Sequence, residues 1–308
     1  MRVLSIGDRV PNGTFRLHSR FERAVNFIAD GAGAPSPDGV VMVSLVARDV
    51  GAGPINLVVD AAKVAAPRTL GIADGAASTR AVVADGRALD ATRAALYDSR
   101  ICPGRVDGRA LTMNLDVLRE VLIASAPKKS LAFLLDRRRL ADFRPGFERS
   151  VAAHIAHCVR DAIEGDVVRA ARRLRGCGFG LTPSGDDFIC GMLIAMNLGE
   201  AATGVRLEPR RRAVRDAART GNVLTDTFLA LACDGRVSER TRGLVEALLA
   251  GSRRDVVGRA CEAIAVGETS GADFATGLLM ELRARGRRPQ WPSVRRSSEA
   301  PTSTPLPS

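Results

Sequence analysis

The hydrophobic period of the chain changes near its middle. Over the first 60 or so residues, short β-branched runs such as VVMVSLV (40–46) and PINLVVD (54–60) stand between the turn clusters DGAGAPSPDG and DVGAGP, which predicts a β-rich start. Short strands and loops continue through VVADGRALDATRAALYDSRICPGRVDGRALTMNL, and DVLREVLIA (116–124) supplies the first helix. From residue 147, FERSVAAHIAHCVRDAIEGDVVRAARRLRG places apolar residues at helical spacing with charges on the other faces. Further helices are expected over 183–198, 208–219, 223–233, 238–250, 253–265 and 271–285. The fold class that follows is α+β: a β-rich domain over 1–145, a helical domain over 146–285, and a disordered basic tail over 286–308, rich in Pro, Ser and Arg.

Within the helical half one motif occurs twice. SGDDFICGML (184–193) and SGADFATGLL (270–279) share Ser184 with Ser270, Gly185 with Gly271, Asp187 with Asp273, Phe188 with Phe274, Gly191 with Gly277 and Leu193 with Leu279. Each copy follows a glycine turn and a threonine, GFGLTP in the first and VGET in the second. Thr182 or Ser184, and Thr269 or Ser270, suit helix N-caps; Pro183 suits a first helical position; the aspartates fall in the first turn, where the helix dipole favours negative charge. Phe188, Leu193, Phe274 and Leu279 carry a buried stripe. Mid-helix glycine costs about 1 kcal/mol against alanine, so its presence in both copies predicts close helix-on-helix packing. The expectation is a pseudo-twofold pair of helices that brings both N-termini to one place.

Two such N-termini can serve a ligand in opposite ways. Backbone N–H groups in a glycine-rich turn bind anions, whereas clustered carboxylates hold a hard cation such as Mg²⁺ or exchange a proton. The candidate site therefore comprises Asp186, Asp187 and Asp273 for proton transfer, with Asp187 and Asp273 as the pair that would hold Mg²⁺. Gly180, Thr182, Ser184, Gly185, Asn222, Thr269, Ser270 and Gly271 are its candidate substrate-binding residues. The competing reading is that these residues cap helices and do nothing else; it accounts for each alone, and less well for two copies with Asp186 added to the first.

Composition narrows the chemistry. The net charge is +11, but the residues from Arg283 onward hold +5 of it. Arginine supplies nearly all the positive charge, with lysine only at Lys63, Lys128 and Lys129, and aromatics make up 4%. That leaves few stacking platforms for bases, so no nucleic-acid partner is expected. No run reaches the length of a membrane span and no signal-type segment opens the chain, which predicts a soluble, cytoplasmic protein. Cys102, Cys158, Cys177, Cys190, Cys233 and Cys261 are scattered without metal-like spacing and read as free thiols, Cys177 having a helix start beside it that would lower its pKa. His154 and His157 lie three apart on a helix with no third ligand near in sequence. After Lys129 there is no lysine and after His157 no histidine, so neither a GK[ST] phosphate loop nor a Ser-His-Asp hydrolase is built from the part beyond His157 alone. ASTRA (77–81) is close to a transcarbamylase phosphate loop but lacks its last threonine and a following helix.

GLTPSGDDFICGML, TGNVLTDTFLALACDGRVSE and GETSGADFATGLL, in that order and spacing, resemble the domain-of-unknown-function family that includes the AllH subunit of bacterial oxamate carbamoyltransferase. FRLHSRFERAVNF and GAGPINLVV fit as well, so the resemblance runs over about residues 5–282. It implies a transferase subunit of allantoin or purine breakdown that works with other protein subunits on a small anionic carbamoyl or carboxylate substrate. It equally admits an assembly or regulatory subunit whose partner carries the chemistry. Glu268, where the family commonly has a small or polar residue, adds a carboxylate beside the second copy.

Overall fold

A computed structural model describes residues 1–30, 42–65, 67–75, 80–104, 106–179 and 182–286. The basic tail beyond Gly286, Gly180 and most of the ASTRA segment lie outside these residues.

The N-terminal strands are β1 (Val3–Gly7), β2 (Gly13–Arg20), β3 (Ala24–Ala29), β4 (Met42–Ala47), β5 (Asn56–Val59), β6 (Thr69–Asp74), β7 (Arg80–Ala84), β8 (Arg87–Leu89) and β9 (Ala95–Tyr97). They form a single sheet in the order β8-β7-β6-β2-β3-β4-β5-β1-β9, antiparallel except where β4 pairs with β5 and β1 with β9. One face is packed by Val25, Phe27, Val43, Leu45, Leu57 and Leu70. β4 is buried at every position, as expected of a strand covered on both faces.

The helices are α1 (Gly108–Ser125), α2 (Phe147–Ile163), α3 (Val167–Leu174), α4 (Ser184–Thr203), α5 (Glu208–Ala218), α6 (Val223–Cys233), α7 (Glu239–Ala250), α8 (Arg253–Ile264) and α9 (Ser270–Gly286). They follow the predicted spans closely from α2 onward, and the fold is α+β. The first helix differs. It starts at Gly108 rather than Asp116, because the Asp107 carboxylate accepts the Arg109 and Ala110 N–H groups and so caps a polar first turn that hydrophobic spacing does not reveal. α1 packs on α7, α8 and α9.

α4 is the axis of the helical layer, buried on nearly all sides, and α9 is its main partner. The glycines set their crossing. A Cβ added to Gly191 would stand 2.0 Å from the Phe274 carbonyl oxygen, and one added to Gly277 would stand 2.1 Å from the Phe188 carbonyl oxygen. The contact is reciprocal, as a pseudo-twofold axis requires. The same symmetry holds one turn earlier, where a Cβ on Gly185 would meet the Leu174 oxygen at 2.2 Å and one on Gly271 the Ala263 oxygen at 2.0 Å. Each motif helix thus lies against the C-terminal end of the helix before it.

The sheet is joined to this layer through α6 and the start of α7. Met42 and Ile55 of the sheet side pack with Leu224 and Leu231 of α6. Arg236 pairs with Asp8, whose other oxygen accepts the Ser99 hydroxyl at 2.6 Å, and the Tyr97 hydroxyl donates to the Val237 carbonyl at 3.0 Å. One face of α6 is thereby fixed to the sheet while its other face turns toward the start of α4.

Candidate functional site

The first turns of α4 and α9 meet. The Thr182 hydroxyl donates to Asp187 Oδ2 at 3.0 Å and lies 2.9 Å from Ser270 Oγ of the other copy. The Ser270 hydroxyl bonds to Asp187, and Ser184 with Thr269 approach Asp273, so each motif's serine serves the other motif's aspartate. The serines are therefore not caps of their own helices. Pro183 occupies the N-cap of α4 and makes no side-chain cap bond, and Ser184 is already helical.

The three aspartates occupy different surroundings. Asp273 is wholly buried, and its Oδ1 accepts the Leu131 N–H at 2.6 Å, a bond spanning 142 residues of sequence. Its Oδ2 makes no bond of full hydrogen-bond geometry. Asp186 is 2% exposed; its Oδ1 accepts the Gly176 N–H at 2.9 Å and its Oδ2 has no partner. Asp187 retains partial exposure.

Burial dominates all three. It pushes Asp187 up to about 7, with the Ser270 and Thr182 hydroxyls opposing and the charges of Asp273 and Asp186 adding to the rise. Asp186 is pushed up to about 6, again by burial first, against the Gly176 N–H and with help from Asp226. Asp273 reaches about 6 by burial, in spite of the Leu131 N–H and the nearby hydroxyls. The dipole of a helix N-terminus, worth about 0.3–1 kcal/mol at exposed sites, acts in the opposite direction and is outweighed.

The remaining predicted residues are placed as follows. Gly185 N–H donates to the Cys177 carbonyl at 2.8 Å and Gly271 N–H to the Val266 carbonyl at 3.0 Å, so these amides are spent within the protein and the glycines serve close approach. Asn222 is the N-cap of α6, its Oδ1 accepting the Leu224 and Thr225 N–H groups. Glu268 is exposed. Cys177 does not have the lowered pKa that a helix start suggests: its thiol points back to the Arg173 carbonyl and burial pushes it up. All six cysteines are free. His154 contacts the Arg173 carbonyl and Cys158, and His157 contacts Arg160. Among the described residues no group of three or more His, Cys, Asp or Glu is placed to hold a metal ion.

Two residues of this site lie outside both motif copies. Thr225 and Phe228 of α6, with Cys190 of the first copy, line a cleft together with Thr182, Asp186 and Asp187 that is too narrow to admit a water molecule. Thr225 is 2% exposed and its hydroxyl has no partner. Arg175 Nη1 donates to the Arg219 carbonyl at 3.4 Å, tying the loop before α4 to the loop before α6, and both arginines are exposed. Asp226 closes the second loop by accepting the Thr220 and Gly221 N–H groups.

Residues 174–282, from the end of α3 through α9, match the family described as oxamate carbamoyltransferase subunit AllH, the family that the two motif copies resemble. No curated protein and no solved structure matches the chain. Among the described residues no helix is long and apolar enough to cross a membrane.

Proposed function

We propose that this chain is a subunit related to oxamate carbamoyltransferase, and that the paired starts of α4 and α9 hold a small anionic carbamoyl or carboxylate substrate of allantoin or purine breakdown. The observation that carries this reading is the reciprocal exchange of Ser184 and Ser270 between Asp273 and Asp187, with Asp187 pushed up to about 7 at a place that solvent still reaches. A carboxyl with that pKa exchanges a proton readily near neutral pH.

In this reading oxamate nitrogen attacks the carbamoyl carbon of carbamoyl phosphate. A C–N bond forms, the C–O bond to phosphate breaks, phosphate leaves with the electron pair, and the proton lost by nitrogen passes to the Asp187 carboxylate. Thr182 and Ser270 orient that carboxylate, while Ser184, Thr269 and Asp273 form the matching half. Gly185 and Gly271 allow the helices to approach, and Asn222 sets the start of α6. In this reading the anionic end of the substrate turns to the exposed Arg175 and Arg219, away from the Asp186 and Asp187 carboxylates. In the assembled complex, Asp187→Asn should lower kcat/KM for carbamoyl transfer by about 100-fold or more, the usual scale of a lost proton-transfer group.

A second reading is favoured by the complete burial of Asp273 and its bond to Leu131, which are what an assembly element would show. There the partner subunits carry the chemistry. Undiminished carbamoyl transfer by an Asp187→Asn complex, with loss of complex formation on disturbing Asp273, would select it over the first.

A further inference from the structure

Among the described residues, two that are not glycine take a left-handed backbone conformation, Asp85 and Lys129. Asp85 begins the Asp85–Gly86 turn between β7 and β8, where that conformation is ordinary. Lys129 is different. Its φ of +61° falls in the turn after α1, and strain of this kind in a long side chain persists only where the surroundings impose it.

Three contacts impose it. Lys129 Nζ donates to Glu148 Oε1 at 2.9 Å, and Glu148 is itself fixed in the first turn of α2 because its other oxygen accepts the Arg144 N–H at 2.7 Å. Ser130 Oγ donates to the Pro127 carbonyl at 2.8 Å and closes the turn on itself. Arg139 supplies the third hold: Nη1 donates to the Ile123 carbonyl at 2.9 Å, and Nη2 donates to the Pro127 carbonyl at 2.8 Å and to that of Ala126. One guanidinium thus takes three carbonyls from the end of α1 and the turn that follows. The neighbouring arginines do not share this task, since Arg138 pairs with Asp136 and Arg137 is exposed.

What the turn delivers is the Leu131 N–H, which meets Asp273 Oδ1 at 2.6 Å. Leu131 is 1% exposed, so this amide has no solvent as an alternative partner. A bond from an amide to a carboxylate is short and directional, and it sets which way the carboxyl faces. Ser184 and Thr269 bond to the same carboxyl.

We propose that Arg139 is a positioning residue of the candidate site: by holding the carbonyls of Ile123, Ala126 and Pro127 it fixes the turn that sets the Leu131 amide against Asp273. Arg139 acts only through Leu131, because its own bonds go to the end of α1 and to the turn. The planar fork is what the arrangement requires. A lysine there keeps the charge that a helix C-terminus favours, but it cannot reproduce the geometry in which two nitrogens reach three carbonyls. The inference rests on the functional reading for its effect on turnover, and on these bonds alone for the positioning.

The test is Arg139→Lys in the full chain, with Arg137→Lys as the control and the Leu131 amide proton followed by NMR. Asp273→Asn should move that resonance upfield, which assigns it to the bond. Arg139→Lys should move it in the same direction with the far-UV helical signal unchanged, and Arg137→Lys should leave it in place. In the assembled complex Arg139→Lys should lower kcat for carbamoyl transfer about tenfold or more with KM unchanged, the pattern of a misplaced reacting group. A Leu131 resonance unmoved in Arg139→Lys overturns the proposal, and an equal movement in Arg137→Lys overturns it as well, since the effect would then be one of surface charge. Lys129→Gly is the second variant. Glycine adopts the left-handed turn freely, so Arg139 should still hold the Leu131 resonance near its wild-type position; its loss would transfer the role to the Lys129–Glu148 pair and overturn the assignment. Failure of the two proposals is separable. A moved Leu131 resonance with unchanged kcat defeats the functional reading and leaves the positioning, whereas an unmoved resonance defeats the positioning and leaves the function.

Discussion

Asp187, Asp186 and Asp273 each have two ordinary influences acting against one another, a helix N-terminus that favours the charge and burial that opposes it. Burial prevails, and the consequence can be measured in the stability of the whole protein. In the unfolded chain these carboxyls titrate near pH 4, and in the folded protein near 6 to 7. Between those limits the folded state binds more protons, so stability must fall as pH rises from about 4 to about 7. For Asp186 alone the loss is on the order of 3 kcal/mol. Thermal melts across that range should show a declining midpoint, and Asp187→Asn should make the decline shallower and leave the variant at least as stable as wild type at pH 7.5; a steeper decline would contradict the assignment. Ser270→Ala should raise the Asp187 pKa further, because the lost hydroxyl favours the charged form. A carboxyl titration followed by NMR would register that rise. The aspartates themselves are legible in the sequence because they repeat. Their partners are not: Leu131 reaches Asp273 from 142 residues away, and Thr225 differs from any other helix threonine only in how it is placed in space.

At the scale of elements, the glycines of the two motif helices separate packing from propensity. Replacing Gly191 or Gly277 by alanine gains about 1 kcal/mol of helix propensity, but it drives a methyl into a backbone carbonyl on the facing helix. Overpacking of that kind costs about 1–3 kcal/mol or more and should win, lowering the melting temperature. Gly258 provides the control. It lies in α8, exposed, with nothing within 4 Å of an added Cβ, so Gly258→Ala should stabilise by up to about 1 kcal/mol. A stabilising Gly191→Ala would refute the close crossing. Helical spacing made most of these helices legible, since their buried stripes are regular. It missed the first two turns of α1 because Asp107 holds them through a cap, and the choice of Thr182 or Ser184 as a cap stayed open because a serine at a helix start looks the same whether it bonds to its own helix or to another.

Across the whole molecule, the sheet and the helical layer are held by a polar junction rather than by a deep shared core. Arg236 pairs with Asp8, and Arg242 lies over the Tyr97 ring at 5.2 Å. Arg236→Ala should cost about 1.5–3 kcal/mol, the range for hydrogen bonds to charged groups, read as a lower urea midpoint by circular dichroism. Because α6 is packed against Met42 and Ile55, the same change should also alter the environment of Thr225 and Phe228, visible in their amide resonances. The order in which the chain assembles follows from the α4 and α9 crossing. Those helices are separated by the whole of α5 to α8, and pairing segments so distant in sequence is slow, because the loop entropy is lost before the contact repays it. Individual helices can form within microseconds, whereas the two halves of the motif meet only when the intervening chain is in place. In refolding experiments, protection of the Leu131 amide bonded to Asp273 should therefore appear in the last phase, together with ligand binding and after most of the helical signal has returned.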